Sequence, residues 1–191
     1  MRIIGGTYRS RTLEAPRGLA TRPTSDRLRE TLFNVLAPRM KGVHFLDLYA
    51  GSGAVGLEAL SRGAAGVDFV ERAEPALRVL RGNLARLGVT EGFRIHGAGV
   101  GTMLRRMKAG TAFDVAFLDP PYDAAVEYGA TLGLLGGDAA GLLAVGAVVI
   151  AEHRRKERLE DGYGQLKRTR LLEQGDAALS FYAIEAIGAV K

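Results

Sequence analysis

From residue 43 onward, short apolar runs alternate with longer stretches in which apolar side chains return every three to four positions. A run of four to eight apolar residues suits a buried strand, and a return of three to four suits a helix with one apolar face. The pattern predicts strands at 43–49, 66–71, 92–96, 113–119 and 143–151, and helices at about 53–62, 74–87, 100–108 and 124–135. Strands separated by helices join in parallel, so the expected fold is α/β: a doubly wound sheet with helices on both faces.

Both ends of the chain break this rhythm. Residues 2–13 alternate as a short β-hairpin does, with Gly5-Gly6 at its turn or bulge, and a loop through Pro16, Gly18 and Pro23 follows. Thr24-Ser25-Asp26 offers helix-start chemistry. Leu28, Leu32, Val35 and Leu36, with Phe33 beside them, then keep helical spacing until Pro38, which places Arg27, Arg29 and Glu30 off the apolar stripe. Near the C-terminus, strand-like runs at 164–173 and 178–187 are separated closely around Gly175-Asp176, too short a link for a parallel crossover. The sheet is therefore expected to be mixed and mostly parallel, ending in an antiparallel hairpin.

Charge divides the chain unevenly. Residues 1–41 carry nine basic groups against three acids, whereas the whole chain of 191 residues nets +5, which leaves −1 for residues 42–191. The expected organisation is a basic hairpin-and-helix extension at 1–41, suited to a polyanion such as RNA, on a catalytic domain at 42–191. The chain has no cysteine, so disulfides, thiolate metal sites and cysteine nucleophiles are excluded. His44, His96 and His153 lack metal-ligand spacing, and no metal is expected. With no signal-peptide pattern and no apolar run long enough to span a bilayer, a cytoplasmic protein without membrane contact is expected, as is a monomer.

Two constellations carry chemistry. The first, Asp47-Leu48-Tyr49-Ala50-Gly51-Ser52-Gly53, lies between the first strand and its helix, where glycines admit a ligand close to the backbone and the helix start presents amides. Gly56 completes a G-x-G-x-x-G, and Glu71 ends the next strand at the place of an acid that reads ribose hydroxyls. A nicotinamide dehydrogenase shares this fingerprint, and a tight strand-to-helix connection also uses such glycines. Asp47 favours a cationic cofactor, S-adenosylmethionine, over a pyrophosphate.

The second constellation is Asp119-Pro120-Pro121-Tyr122, closing the apolar strand Phe113-Asp114-Val115-Ala116-Phe117-Leu118 at the edge where open α/β sheets bind ligands. Two prolines stiffen the loop and remove two donors, leaving carbonyls to accept. An exocyclic nucleobase amine is a weak nucleophile because its lone pair is delocalised into the ring. Accepting its N–H groups at the Asp119 carboxylate and the Pro120 carbonyl favours pyramidal nitrogen, and Tyr122 can stack on the base. The core motifs leave guanine N2 and adenine N6 open, and a non-catalytic RNA-binding factor is a more distant possibility. Arg154-Arg155-Lys156 reads as a solvated loop and His96 as a satisfied, partly buried residue.

The chain resembles the RsmD-type 16S ribosomal RNA guanine-N2 methyltransferases. The resemblance runs through Arg2-Ile3-Ile4-Gly5-Gly6, Arg22-Pro23-Thr24, Arg29-Glu30-Thr31-Leu32-Phe33-Asn34, Asp47 to Gly53, Glu58-Ala59-Leu60-Ser61-Arg62-Gly63 and Asp119 to Tyr122. It implies a Rossmann-like class I methyltransferase that moves a methyl group from S-adenosylmethionine to a guanine N2 in the small ribosomal subunit. Asp119, Pro120 and Tyr122 would then serve catalysis, and Asp47, Tyr49, Ala50, Gly51, Ser52, Gly53 and Glu71 the cofactor. Arg2, Arg9, Arg11, Arg22 and Arg29 would serve the RNA. The chain departs from the family after its third strand, where His96-Gly97-Ala98-Gly99-Val100 replaces the usual acid or amide, so backbone near Ala98 is expected to meet the adenine.

Overall fold

The computed structural model describes residues 1–15, 26–107, 112–121 and 125–184. Its helices are α1 (Asp26–Leu36), α2 (Ala54–Ser61), α3 (Glu74–Leu87), α4 (Val100–Arg106) and α5 (Ala125–Leu135). Its strands are β1 (His44–Leu48), β2 (Gly66–Val70), β3 (Phe93–His96), β4 (Phe113–Leu118), β5 (Leu143–Arg154), β6 (Gly162–Tyr163), β7 (Leu166–Gln174) and β8 (Ala177–Ile184). The strands form one sheet in the order β3-β2-β1-β4-β5-β8-β7-β6.

Strands β1 to β5 are mutually parallel, while β8 runs antiparallel to β5 and to β7. The chain winds outward from β1 to β3, then returns to place β4 on the other side of β1. That reversal opens a crevice beyond the carboxyl ends of β1 and β4, where ligands of such sheets bind. The predicted mixed sheet and tail hairpin are both present, with Gly175 at φ 61 in the turn. The additional β6 is only two residues long, below the length at which periodicity signals a strand.

Alternation along each strand feeds two cores. Phe45, Val115, Phe117 and Ile150 face a cluster that also holds Leu57, Phe69, Leu80 and Leu84. Leu46, Leu48, Ala116 and Leu118 face the cluster built with α4 and α5. α3 shows why these segments are helical: Pro75 sits in its first turn, Ala76, Leu77, Leu80, Leu84 and Leu87 are buried, and Gly88 at φ 74 caps its end. Each fully buried leucine on such a stripe contributes roughly 1.5–3 kcal/mol.

The extension is built into this core. Ile3, Leu13, Leu28, Leu32, Phe33, Leu36 and Met40 belong to the same cluster as Phe45 and Phe117. The hairpin pairs through a single bridge, Arg2 to Thr12, with Ile3 N–H donating to the Arg11 carbonyl at 3.0 Å. No described helix is long and apolar enough to cross a membrane.

Candidate active site

The turn after β1 is tight and partly strained. Tyr49 has φ 62, an uncommon conformation for a bulky residue, and is anchored through its hydroxyl to Glu127 at 2.8 Å and Thr131 at 2.7 Å. Burial chiefly holds the Tyr49 hydroxyl above its ordinary pKa, against the opposing hydrogen bond from Thr131. Gly51 and Gly53 also have positive φ, 55 and 79. A Cβ at Gly53 would collide with Leu80 Cδ1, and one at Gly56 with the Phe69 ring, so Gly53 serves close packing of the turn on α3 and Gly56 that of α2 on β2. A Cβ at Gly51 would have only the Tyr49 carbonyl, 3.9 Å away, within reach. Gly51 is thus where the turn is open to a ligand.

The amides of this turn are already engaged. Gly51 N–H donates to Glu71 at 2.9 Å, Gly53 N–H to the Ala50 carbonyl at 2.7 Å and Gly56 N–H to Asp47 at 2.9 Å. A pyrophosphate would meet two carboxylates here and no free glycine amide, which disfavours a dinucleotide. A cation fits. Asp47 is 2 % exposed; burial foremost, and then Glu71, push its carboxyl up to about 7, with the Gly56 N–H opposing them. A positively charged ligand relieves this penalty.

Glu71 also accepts the Ala73 N–H at 2.7 Å, fixing its carboxylate beside the turn. Ala98 lies one strand further out, where its N–H already donates to the His96 carbonyl at 3.0 Å. His96 pairs with buried Asp68 at 2.6 Å, the structural role expected of it. Ser52 is buried, and its carbonyl accepts from Asn83 at 3.0 Å. These positions fit S-adenosylmethionine: an acid for the sulfonium end, an open glycine for close approach and an acid for ribose hydroxyls.

Asp119 follows β4 directly across the crevice from this turn. It is partly exposed, with Pro120 buried and Pro121 exposed. Its carboxyl is held well above the ordinary range, first by burial, then by the neighbouring charges of Glu152 and Asp47. Strand register places Asp47, Asp119 and Glu152 on the neighbouring β1, β4 and β5 at the same end of the sheet, and of these sequence reasoning missed Glu152. Its only signal was an acid at the end of an apolar strand. Tyr122 lies outside the described residues. Among the described residues no three His, Cys, Asp or Glu side chains group as a metal site requires.

The extension is clamped to the site by residues that no motif assigned. Buried Glu58 accepts Ile4 N–H and Gly5 N–H, each at 2.8 Å, and Arg62 Nε at 2.7 Å. Ser61 receives Tyr8 N–H and donates to the Gly5 carbonyl. Asn83, fully buried, donates both to Ser52 and to the Glu14 carbonyl, and accepts Glu14 N–H. An asparagine among the apolar positions of α3 was the available sign.

The arginines divide. Arg2, Arg9 and Arg11 are exposed; Arg2, Arg9 and Arg27 line, with Asp26 and Glu30, a concavity of about 420 Å³. Arg22 lies outside the described residues. Arg29 corrects the expectation of an RNA contact: it is 0 % exposed and sits on the apolar face of α1 rather than off it. Its guanidinium donates to Asp26 at 2.9 Å and to the Arg2 carbonyl at 2.5 Å, and lies 3.7 Å from Glu58. Burial lowers its pKa, opposed by Asp26, Glu58 and Glu152. It is an internal counter-charge that shares buried Glu58 with Arg62 and reaches the partly exposed Asp26.

Comparison with known proteins agrees with this geometry. The family model described as conserved hypothetical protein 95 matches residues 1–183. YlbH of Bacillus subtilis (strain 168) is 36 % identical over 183 residues, 95 % of this chain and 98 % of that protein. Ribosomal RNA small subunit methyltransferase D of Escherichia coli (strain K12) is 43 % identical over 122 residues, covering 64 % of this chain and 60 % of its own length. The solved structure of yhhF from Escherichia coli superposes with a TM-score of 0.84 at 36 % identity, covering 97 % of this chain and 98 % of that one. With its sheet order, cationic-cofactor turn and Asp-Pro-Pro loop, the chain belongs to the conserved hypothetical protein 95 family and is an RsmD-type, S-adenosylmethionine-dependent methyltransferase.

Proposed function

We propose that this protein methylates the exocyclic N2 amine of one guanine in 16S rRNA, within the small ribosomal subunit or an assembly intermediate. The observation that carries the reading is the placement of Asp119 and Pro120 across the crevice from Asp47 and the open Gly51. Relatives named as small-subunit rRNA methyltransferases support the choice of RNA. Asp47 faces the methionine end of the cofactor, Glu71 its ribose, and the backbone from Tyr49 to Gly53 and at Ala98 encloses it. S-adenosylmethionine supplies an already activated methyl group.

The chain's own contribution is alignment and proton handling. Asp119 and the Pro120 carbonyl accept the two N–H groups of the amine, which concentrates its lone pair toward the methyl. Tyr122 stacks on the base. The raised pKa of Asp119 makes it a stronger proton acceptor than an ordinary carboxylate, so it can take the proton that the methylated nitrogen sheds. Arg2, Arg9 and Arg11, joined by Arg27 on the same concavity, hold RNA phosphates, with Arg22 assigned to the same task from sequence. The protein is read as a cytoplasmic monomer.

Incubation with labelled S-adenosylmethionine and small subunits from cells lacking this activity tests the reading. Label should appear in one guanine as N2-methylguanine. Label in adenine, or in no nucleotide, would refute it.

A further inference from the structure

Glu152 takes no part in the chemistry above, yet it stands beside Asp119. β4 and β5 run parallel with Leu118 opposite Ala151, so Asp119 and Glu152 are the next residues on adjacent strands. The pleat sends both toward one face of the sheet, the face that Asp47 shares through its pairing with Phe117. Glu152 is 5 % exposed. Its backbone is fixed by pairing with Leu179 and by the Tyr128 hydroxyl, which donates to its carbonyl at 2.8 Å. Its charge is felt by both Asp119 and Arg29.

Nucleobase amines differ in the ring atom beside them. Guanine N2 lies between N1–H, a donor, and the bare N3, whereas the only ring nitrogen beside adenine N6 or cytosine N4 is bare and accepts. Two neighbouring carboxylates therefore match guanine alone, because the other two bases would turn a lone pair toward a carboxylate.

We infer that Glu152 selects guanine: its carboxylate accepts the N1–H of the base whose N2 amine Asp119 holds. The inference rests on the proposed function and adds the residue that separates guanine from adenine.

The test uses small subunits reconstituted with guanosine or 2-aminopurine riboside at the mapped nucleotide. 2-Aminopurine keeps the amine but carries a bare N1. Wild-type protein should prefer guanine by about 100-fold or more in kcat/KM, as sites built to receive a donor reject analogues without one. Glu152→Gln, whose amide can donate to a bare N1, should narrow that preference about tenfold or more while S-adenosylhomocysteine binding is kept. Equal wild-type rates on the two subunits would overturn the inference without recourse to any variant. So would a Gln variant that folds, binds S-adenosylhomocysteine and slows both reactions equally. Failure of wild-type protein to methylate the guanine subunit would instead overturn the proposed function, and this inference with it.

Discussion

Asp47 and Asp119 carry similar side chains under different constraints. Asp119→Ala should lower kcat about 10²–10⁴-fold, since it removes both an acceptor and a proton sink, with S-adenosylhomocysteine affinity little changed in calorimetry. Asp47 has a pH signature. Its folded pKa of about 7 exceeds the ordinary 3.8, so the folded state binds more protons between those values. Its stabilising contribution is full below about pH 4 and is lost as pH rises through about 7. A cationic cofactor prefers the ionised form, so affinity should rise from about pH 6 to about pH 8 as stability falls. Asp47→Asn should abolish both trends in thermal melts and titration calorimetry; parallel slopes in wild type and variant would contradict the assignment.

Elements meet at glycines and at one buried glutamate. Gly53→Ala forces a side chain at φ 79 into Leu80 and should cost about 2–4 kcal/mol in denaturant unfolding. Gly51→Ala meets nothing closer than 3.9 Å, so it should cost only about 1–2 kcal/mol for its positive φ while weakening cofactor binding distinctly. Comparison of the two variants separates a packing glycine from a ligand-facing one that the G-x-G-x-x-G pattern treats alike. Glu58 joins α2 to the hairpin. Glu58→Ala removes acceptors for Ile4, Gly5 and Arg62 and the second carboxylate beside buried Arg29, so a loss of about 3–5 kcal/mol is expected. Hydrogen exchange at Ile4 and Gly5 should then accelerate before that of β1; uniform acceleration would mean that Glu58 supports the fold as a whole.

At the scale of the whole molecule, the hairpin, α1 and the cofactor turn are one connected body. Asn83 bridges Glu14 to Ser52, so the extension is tied to the cofactor turn, and under the proposed function RNA held there would be anchored to the same body as the cofactor. The exposed arginines act differently from Arg29. Replacing Arg2, Arg9 and Arg27 together by alanine should weaken subunit binding and lower the salt slope by about one for each phosphate no longer neutralised, with cofactor affinity intact. An unchanged slope would place the RNA on another face. Arg29→Ala should instead unfold or loosen the protein, because its charge is internal.

The elements near the site and the reactive loop were legible because periodicity and turn chemistry are local: 74–87 is helical for its own spacing, and Asp119-Pro120-Pro121 is stiff for its own prolines. Asp47 and Glu71 were readable by their distance from Gly51. Arg29 was misread because one arginine in a basic block looks like its neighbours, and only packing against Glu58 and Arg2 reveals its burial. Glu152, Asn83 and the hold of Glu58 on the hairpin were beyond local reading for the same reason. Each acts on a partner far away along the chain, and such pairings exist only once the sheet has brought β4 beside β5 and the extension onto α2. Local pattern determines that this chain carries a glycine turn flanked by acids and a stiff Asp-Pro-Pro loop at the ends of parallel strands; which carboxylates share one face beside them is decided by the register of the folded sheet, because only pairing brings β1, β4 and β5 side by side.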